Sequence, residues 1–227
     1  MPRPARIAPG GMIFHVLNRG VGRMQLFSRD ADYEAFERIV AKTLETCPMR
    51  IVSYCLMPNH WHFVLWPKCD GELAAFMQKL TTTHVRNWQA HRRRIGYGHL
   101  YQGRFKSFPV ESDEHFYQVV RYVERNALRA GLVRHAEDWR YNSLWRRLHG
   151  SAAEQKILSD WPLPLPTSWL QYVNQPQTET ELAAIRHSLQ HGQPFGGERW
   201  VQNTAEQLGL HSTARGRGQP KPDSKSE

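Results

Sequence analysis

The segment "MPNHWHFVLWP" (57–67) carries two imidazoles, His60 and His62, on either side of a tryptophan. In an extended strand, successive side chains alternate between the two faces. His60, His62, Val64 and Trp66 then share one face, and Trp61, Phe63 and Leu65 share the other. The second set is wholly apolar, as a face covered by helices must be. The first set opens with two histidines roughly 7 Å apart along the strand, close enough for one cation to sit between their tips. Imidazole ligates Mn²⁺, Zn²⁺ and other divalent ions, whereas Mg²⁺ prefers more oxygen-rich surroundings. Two ligands make an incomplete site, and the same pair is compatible with a polar strand edge.

Further groups must come from elsewhere. The segment "SDEHFYQVVRYVERNALRAGL" (112–132) reads as a helix with an apolar stripe of Phe116, Val119, Val120, Val123, Ala127 and Ala130. At about 100° per residue, Tyr122 and Asn126 fall together on one shoulder of that stripe, bordered by Gln118 and Arg129. A hydroxyl and a carboxamide, one turn apart, thus face the same way at the edge of the core. Singly, each is equally consistent with an amphipathic shoulder residue.

The elements that must position these groups follow from periodicity and punctuation. "MIFHVLNR" (12–19) reads as a strand closed by Gly20 and Gly22. The helix "SRDADYEAFERIVAKTLETC" (28–47), capped by Ser28 or Asp30, ends at Pro48. "MRIVSYCLM" (49–57) and "HWHFVLWP" (60–67) are joined by Pro58-Asn59, which is turn chemistry, so they form an antiparallel hairpin. A second helix spans 70–94, with Leu73, Phe76, Met77, Leu80, His84 and Trp88 in one stripe. A Gly-rich loop then leads to a short strand at 104–110. The order β-α-β-β-α-β predicts an α+β, ferredoxin-like antiparallel sheet with helices on one face. The tyrosine helix comes third, starting at Ser112 and stopping in a Schellman turn at Gly131.

Beyond residue 150 the character changes. We expect a core domain over 1–150, a Pro-rich linker segment over 151–177, and a helical extension over 178–211 opened by a Thr178/Glu181 capping box. A flexible, disordered basic tail follows over 212–227. The chain of 227 residues has a net charge of +9, and the charge is clustered, as in "HRRR" (91–94) and "GRFK" (103–106). Such patches favour a polyanionic partner. No apolar run is long enough to span a bilayer and no secretory signal is visible, so the expectation is a cytoplasmic protein without a membrane partner. Cys47, Cys55 and Cys69 form no C-x-x-C pair, which argues against a disulfide framework or a structural zinc site.

Three separated motifs, "FHV…NRG", "MPNHWH" and "RYVERNALRAGLV", together resemble the REP-associated tyrosine transposases, single-tyrosine relatives within the histidine-hydrophobic-histidine superfamily. The resemblance is close over about residues 3–145 and extends into the C-terminal part. It departs at Ala127, where the family carries proline, a change that favours an unbroken helix. The resemblance implies His60, His62 and Asn126 as ligands of a divalent ion, Mg²⁺ or Mn²⁺, and Tyr122 as the nucleophile. It implies a substrate of single-stranded DNA with REP-type hairpins, cut through a covalent 5′-phosphotyrosine, with the enzyme on the nucleoid as a monomer or dimer. Arg3, Arg6, Arg19, Arg104, Lys106, Arg125, Arg129, Arg215 and Arg217 are expected DNA contacts. The competing reading is a hairpin-binding protein or repressor without chemistry. A two-tyrosine replication initiator fits less well, because Tyr117 lies on the far shoulder of the helix and no helicase segment follows.

Overall fold

The computed structural model describes residues 7–96 and 98–210. Four strands, β1 (Ile13–Arg19), β2 (Arg50–Met57), β3 (His60–Trp66) and β4 (Lys106–Val110), form one sheet in the order β2-β3-β1-β4, with every neighbouring pair antiparallel. The connections run through α1 (Asp30–Thr46) and α2 (Glu72–His91), giving the expected βαββαβ arrangement. Both crossover helices lie on one face. There Phe36, Ile39 and Val40 of α1 and Leu73, Phe76, Met77 and Leu80 of α2 pack on Trp61, Phe63 and Leu65, the apolar alternation of β3. Asp32 accepts from the backbone N–H of Ser28 and Arg29 at the start of α1, so the cap is made by this carboxylate and not by Ser28 or Asp30.

The opposite face is covered too, by α3 (Glu114–Glu124) and α4 (Asn126–Arg129). Phe116, Val119, Val120, Val123 and Ala127 meet Ile13, Cys55, Val64, Phe108 and Val110 in a second core. Ala130, the expected last residue of that stripe, is not part of this core. Asp113, not Ser112, caps α3 by accepting from His115 N–H at 2.9 Å. The helix is not continuous. It breaks at Arg125 (φ −80°, ψ −3°) even though position 127 is alanine. The Schellman stop is present: Leu132 N–H reaches Ala127 O, and Gly131 sits at φ +71°.

Among the described residues the remaining α-helices are α5 (Ser143–His149), α6 (Ala152–Gln155), α7 (Trp169–Asn174), α8 (Glu179–His191) and α9 (Glu198–Gln207). The stretch 159–166 has no helix or strand, but it is packed: Trp161 stands edge-on to Phe116 and Trp169. Thr178 and Glu181 form the expected capping box of α8, and Gly192 closes it at φ +72°. The C-terminal half also reaches both sheet edges. Tyr141 O accepts from Leu56 N–H beside β2, and Phe195 exchanges hydrogen bonds with Pro109 and Glu111 beside β4. Pro109 is tolerated because β4 is an edge strand. No helix is long and apolar enough to cross a membrane among the described residues. The three cysteines are free. The tail from 211, with Arg215 and Arg217, and the first six residues, with Arg3 and Arg6, lie outside the described residues.

Candidate metal and nucleophile site

The β2–β3 turn fixes where the histidines start. Pro58 O accepts from Leu26 and Phe27 N–H at 2.7 and 3.0 Å, and Asn59 O accepts from Gly20 N–H at 2.9 Å. The hairpin tip is thereby tied to the end of β1. Gly20 is required at this junction, because a Cβ there would fall 2.4 Å from Met24 O. In register, His60 lies opposite Arg19 and His62 opposite Leu17, and both histidines are on the face turned toward α3.

Each imidazole is oriented through its Nδ1. His60 Nδ1 is 2.6 Å from Asn59 Oδ1, an oxygen that only accepts, so Nδ1 carries the proton and the Nε2 lone pair is free. His62 Nδ1 is 2.9 Å from Nε2 of His15, a β1 residue with no exposed surface. The two strand histidines stand edge-on with ring centroids 5.0 Å apart. Burial lowers the pKa of His60 to about 4 and that of His15 to about 3. Burial also holds His62 well below its ordinary value, and the neighbouring His60, His15, Arg129 and Arg19 push it the same way. All three rings are therefore neutral at pH 7, the form in which an imidazole nitrogen ligates a metal.

Tyr122 and Asn126 approach from α3 and α4. The Tyr122 ring stands edge-on to His62 at 5.7 Å and to His15 at 6.2 Å, and the residue is 5% exposed. Arg129 joins the two groups: its guanidinium carbon lies 4.1 Å over the Tyr122 ring and its Nη2 donates to Asn126 Oδ1 at 3.0 Å. Four buried polar atoms around this point have no hydrogen-bond partner: His15 Nδ1, Arg19 Nε, Asn126 Nδ2 and Arg129 Nη1. Three of them belong to donor groups, of which two are cationic. Neutral imidazole nitrogens, a carboxamide oxygen and unsatisfied cationic donors suit a divalent ion next to an anionic phosphate.

The expected residues divide clearly. His60, His62, Tyr122, Asn126, Arg129 and Arg19 are brought together. Lys106 is exposed on β4, two strands away from β3. Arg104 lies elsewhere, on the rim of a groove of about 1130 Å³ between α2 and the 95–105 loop. Arg125 points into α7, where its Nη1 donates to Val173 O and Asn174 O at 3.1 and 2.6 Å.

Sequence reasoning passes over His15, Asn59 and Glu124 as site residues. The signal for His15 is an imidazole at an inward-facing position of an apolar strand. Glu124 is wholly buried, and its carboxylate accepts from Ser143 Oγ at 2.7 Å and Trp169 Nε1 at 2.8 Å. Burial raises its pKa, against the lowering effect of those donors. It links β2, α3, α5 and α7 and so holds the helix that bears Tyr122. A separate group of possible ligands, Glu111, Asp113 and His115, has its ligand atoms within 4.8 Å of one another at the start of α3. Those atoms already serve the fold: Asp113 caps the helix and Glu111 accepts from Gly197 N–H at 2.7 Å.

Known proteins resemble this chain in sequence and in fold. The family profile described as "Transposase IS200 like" matches residues 10–126. A Haemophilus influenzae protein named as a REP-associated tyrosine transposase is 24% identical over 119 residues, covering 49% of this chain and 68% of that protein. The solved structure of a REP-associated tyrosine transposase bound to a REP hairpin is similar in fold, with a TM-score of 0.53 and 19% identity. That match covers 65% of this chain and 85% of the other. A Deinococcus radiodurans R1 structure described as that of a transposase gives a TM-score of 0.39 at 16% identity, over 55% of this chain and 96% of the other.

Proposed function

The chain belongs to the IS200-like transposase family, and from that premise we propose that it is a metal-dependent endonuclease and strand transferase for single-stranded DNA carrying REP-type hairpins. The observation that carries this reading is the Tyr122 ring standing edge-on to His62, which His60 adjoins, with Arg129 touching both the phenol ring and the Asn126 carboxamide. The hairpin substrate is supported by the likeness to relatives named for REP elements, one of them solved with a REP hairpin.

His60 and His62, through Nε2, and Asn126, through Oδ1, would hold a divalent ion, Mg²⁺ or Mn²⁺. When bound, the ion supplies Lewis-acid polarisation of the scissile phosphate and charge for the departing 3′-oxygen. The chain's own groups do the rest. Tyr122 Oη attacks phosphorus, a P–O(tyrosine) bond forms, and the P–O3′ bond breaks. The 3′-oxygen leaves as a hydroxyl while the phenol gives up its proton, so one phosphodiester is exchanged for another. A 3′-hydroxyl can reverse the step or join a new end, with no nucleotide triphosphate. A free tyrosine has a pKa near 10 and is mostly un-ionised at neutral pH. The Arg129 guanidinium over the ring favours the phenolate that must form. Arg19 and Arg129 have unpaired buried donors that suit the phosphate oxygens. Lys106, Arg104, the N-terminal arm with Arg3 and Arg6, and the tail with Arg215 and Arg217 would hold flanking phosphates. Arg125 would contribute mainly by fixing α7.

In this reading residues 1–150 carry the chemistry. Residues 151–177 and 178–211 act as a linker and a helical extension that brace the tyrosine helix, and 212–227 is a basic arm. The protein works in the cytoplasm, on the nucleoid.

The test is mass spectrometry after incubation with a cognate hairpin oligonucleotide and Mn²⁺. A DNA adduct on Tyr122 is expected, lost in Tyr122→Phe while hairpin binding persists. Cleavage by Tyr122→Phe would overturn the assignment. One observation favours the second reading, a hairpin-binding protein without chemistry: at 5% exposure Tyr122 must rotate outward to reach a phosphate. Tight binding with no nick in Mn²⁺ or Mg²⁺ would select that reading.

A further inference from the structure

We propose that His15 is a positioning residue that holds the His62 imidazole in its metal-ligating tautomer, an inference that rests on the metal site described above. His15 Nε2 and His62 Nδ1 are 2.9 Å apart in an enclosed setting, so one proton lies between them. Either ring can own it. If His15 donates from Nε2, neutral His62 must carry its own proton on Nε2, and that nitrogen has no lone pair to offer a metal. If His62 donates from Nδ1, its Nε2 lone pair is free, and His15 carries its proton on Nδ1. Only the second arrangement fits a ligand.

The neighbouring ligand shows the same device in unambiguous form. His60 donates from Nδ1 to the amide oxygen of Asn59, which has no alternative tautomer. At His62 the amide oxygen is replaced by an imidazole, which accepts in one of its two neutral states and donates in the other. His15 is held for this task by Phe108, whose ring centroid is 4.8 Å away, and by the edge of Tyr122 at 6.2 Å. Its other nitrogen, Nδ1, has no hydrogen-bond partner, so nothing on that side pins its tautomer. In its accepting tautomer His15 stabilises the proton on His62 Nδ1 and leaves Nε2 free, and a divalent ion held there would favour the same pair of tautomers. Removing the acceptor would therefore weaken the ion at one remove, as orienting partners of ligating histidines do.

The decisive measurement is calorimetry of Mn²⁺ binding to the DNA-free protein in the wild type, His15→Gln and His15→Phe, with circular dichroism as the check of folding. His15→Phe removes the acceptor and should lose about 10–100-fold in affinity. His15→Gln presents an amide oxygen, as Asn59 does to His60, and should bind within a few-fold of the wild type. Equal affinity in His15→Phe and wild type overturns the proposal, and so does a loss in His15→Gln as large as that in His15→Phe. Should the phenylalanine variant fail to fold, ¹⁵N spectra of the wild-type histidines with and without Zn²⁺ decide. His62 protonated on Nδ1 in the loaded protein supports the proposal, and a loaded His62 with its proton on Nε2 refutes it. A wild type that binds no divalent ion, with His60→Ala and His62→Ala equally silent, removes the metal site itself and the proposal with it. That result is distinct from failure at His15 alone.

Discussion

Arg129 is the residue that ties Tyr122 to Asn126. Its Nη2 holds Asn126 Oδ1 and its guanidinium plane covers the Tyr122 ring. A hydrogen bond from a charged donor contributes about 1.5–3 kcal/mol. Arg129→Ala is accordingly expected to slow single-turnover cleavage by roughly 10–100-fold, and Arg129→Lys to recover part of that loss, since a lysine keeps the charge but not the planar fork. Equal rates in all three proteins, measured by gel on a labelled hairpin, would remove Arg129 from the site. At this scale the pair His60/His62 is legible because strand alternation alone puts both on one face. His15 is not, because its role depends on a partner 47 positions away in the chain. Arg125 shows the reverse. By type and position it resembles a phosphate contact, yet α7 captures it through two backbone carbonyls.

The decisive element is α3. Its apolar stripe is readable from the 3.6-residue period, but the period says nothing of what meets its polar back. The structure buries that back as well. Arg121 donates to Gln175 O and Pro176 O at 2.8 and 3.0 Å, and Glu124 receives Ser143 and Trp169. Glu124→Ala would leave Trp169 Nε1 without its acceptor, at about 1–3 kcal/mol, while Ser143 Oγ keeps Ser53 Oγ and Tyr54 O as partners, and the lost packing of the buried side chain adds to that cost. A loss of about 3 kcal/mol in urea-induced unfolding is the expected result, and a change below about 0.5 kcal/mol would mean that the site tolerates ordinary surface substitution. The end of α4 offers an independent check. Gly131 sits at φ +71° with open space where a Cβ would go, so Gly131→Ala meets backbone strain and no clash. About 1–2 kcal/mol of destabilisation is expected, readable as a lowered thermal midpoint without loss of hairpin binding.

Over the whole molecule, two cores share one sheet, and the buried titratable groups set how stability responds to acid. His15 and His84 are buried, and burial lowers both to about 3. The folded state therefore refuses protons that the unfolded chain accepts below its ordinary value of 6.5. This stabilisation is complete above that value and declines as pH falls toward 3. By about pH 5 each histidine would subtract about 2 kcal/mol. Glu124, raised by burial, acts in the opposite sense, its contribution declining as pH rises. His60 and His62, lowered by burial as well, act in the same sense, so with four such histidines against the raised Glu124 carboxyl the urea midpoint should fall between about pH 7 and about pH 5, and less so in His84→Gln. A midpoint unchanged over that range would contradict the burial. The net charge of +9 predicts salt-sensitive hairpin binding. Replacing Lys106 or Arg104 with Ala should reduce the slope of log K against log salt by about 0.7–0.9 for each phosphate that the side chain neutralises, and an unchanged slope would place that residue off the DNA path.

By itself the sequence determined the strand-helix order, the Pro58-Asn59 hairpin, the Thr178 and Gly131 helix boundaries, the shared face of His60 and His62 and the shared shoulder of Tyr122 and Asn126. Each of these is written in a local period or in a residue with a particular backbone preference, within a few positions of where it acts. The tertiary structure alone decided that α3 breaks at Arg125, that the C-terminal half wraps its polar back and reaches both sheet edges, and that His15 stands behind His62. Those outcomes depend on contacts between residues tens of positions apart, and the enclosed space between two packed layers, not local propensity, selects which side chains meet there.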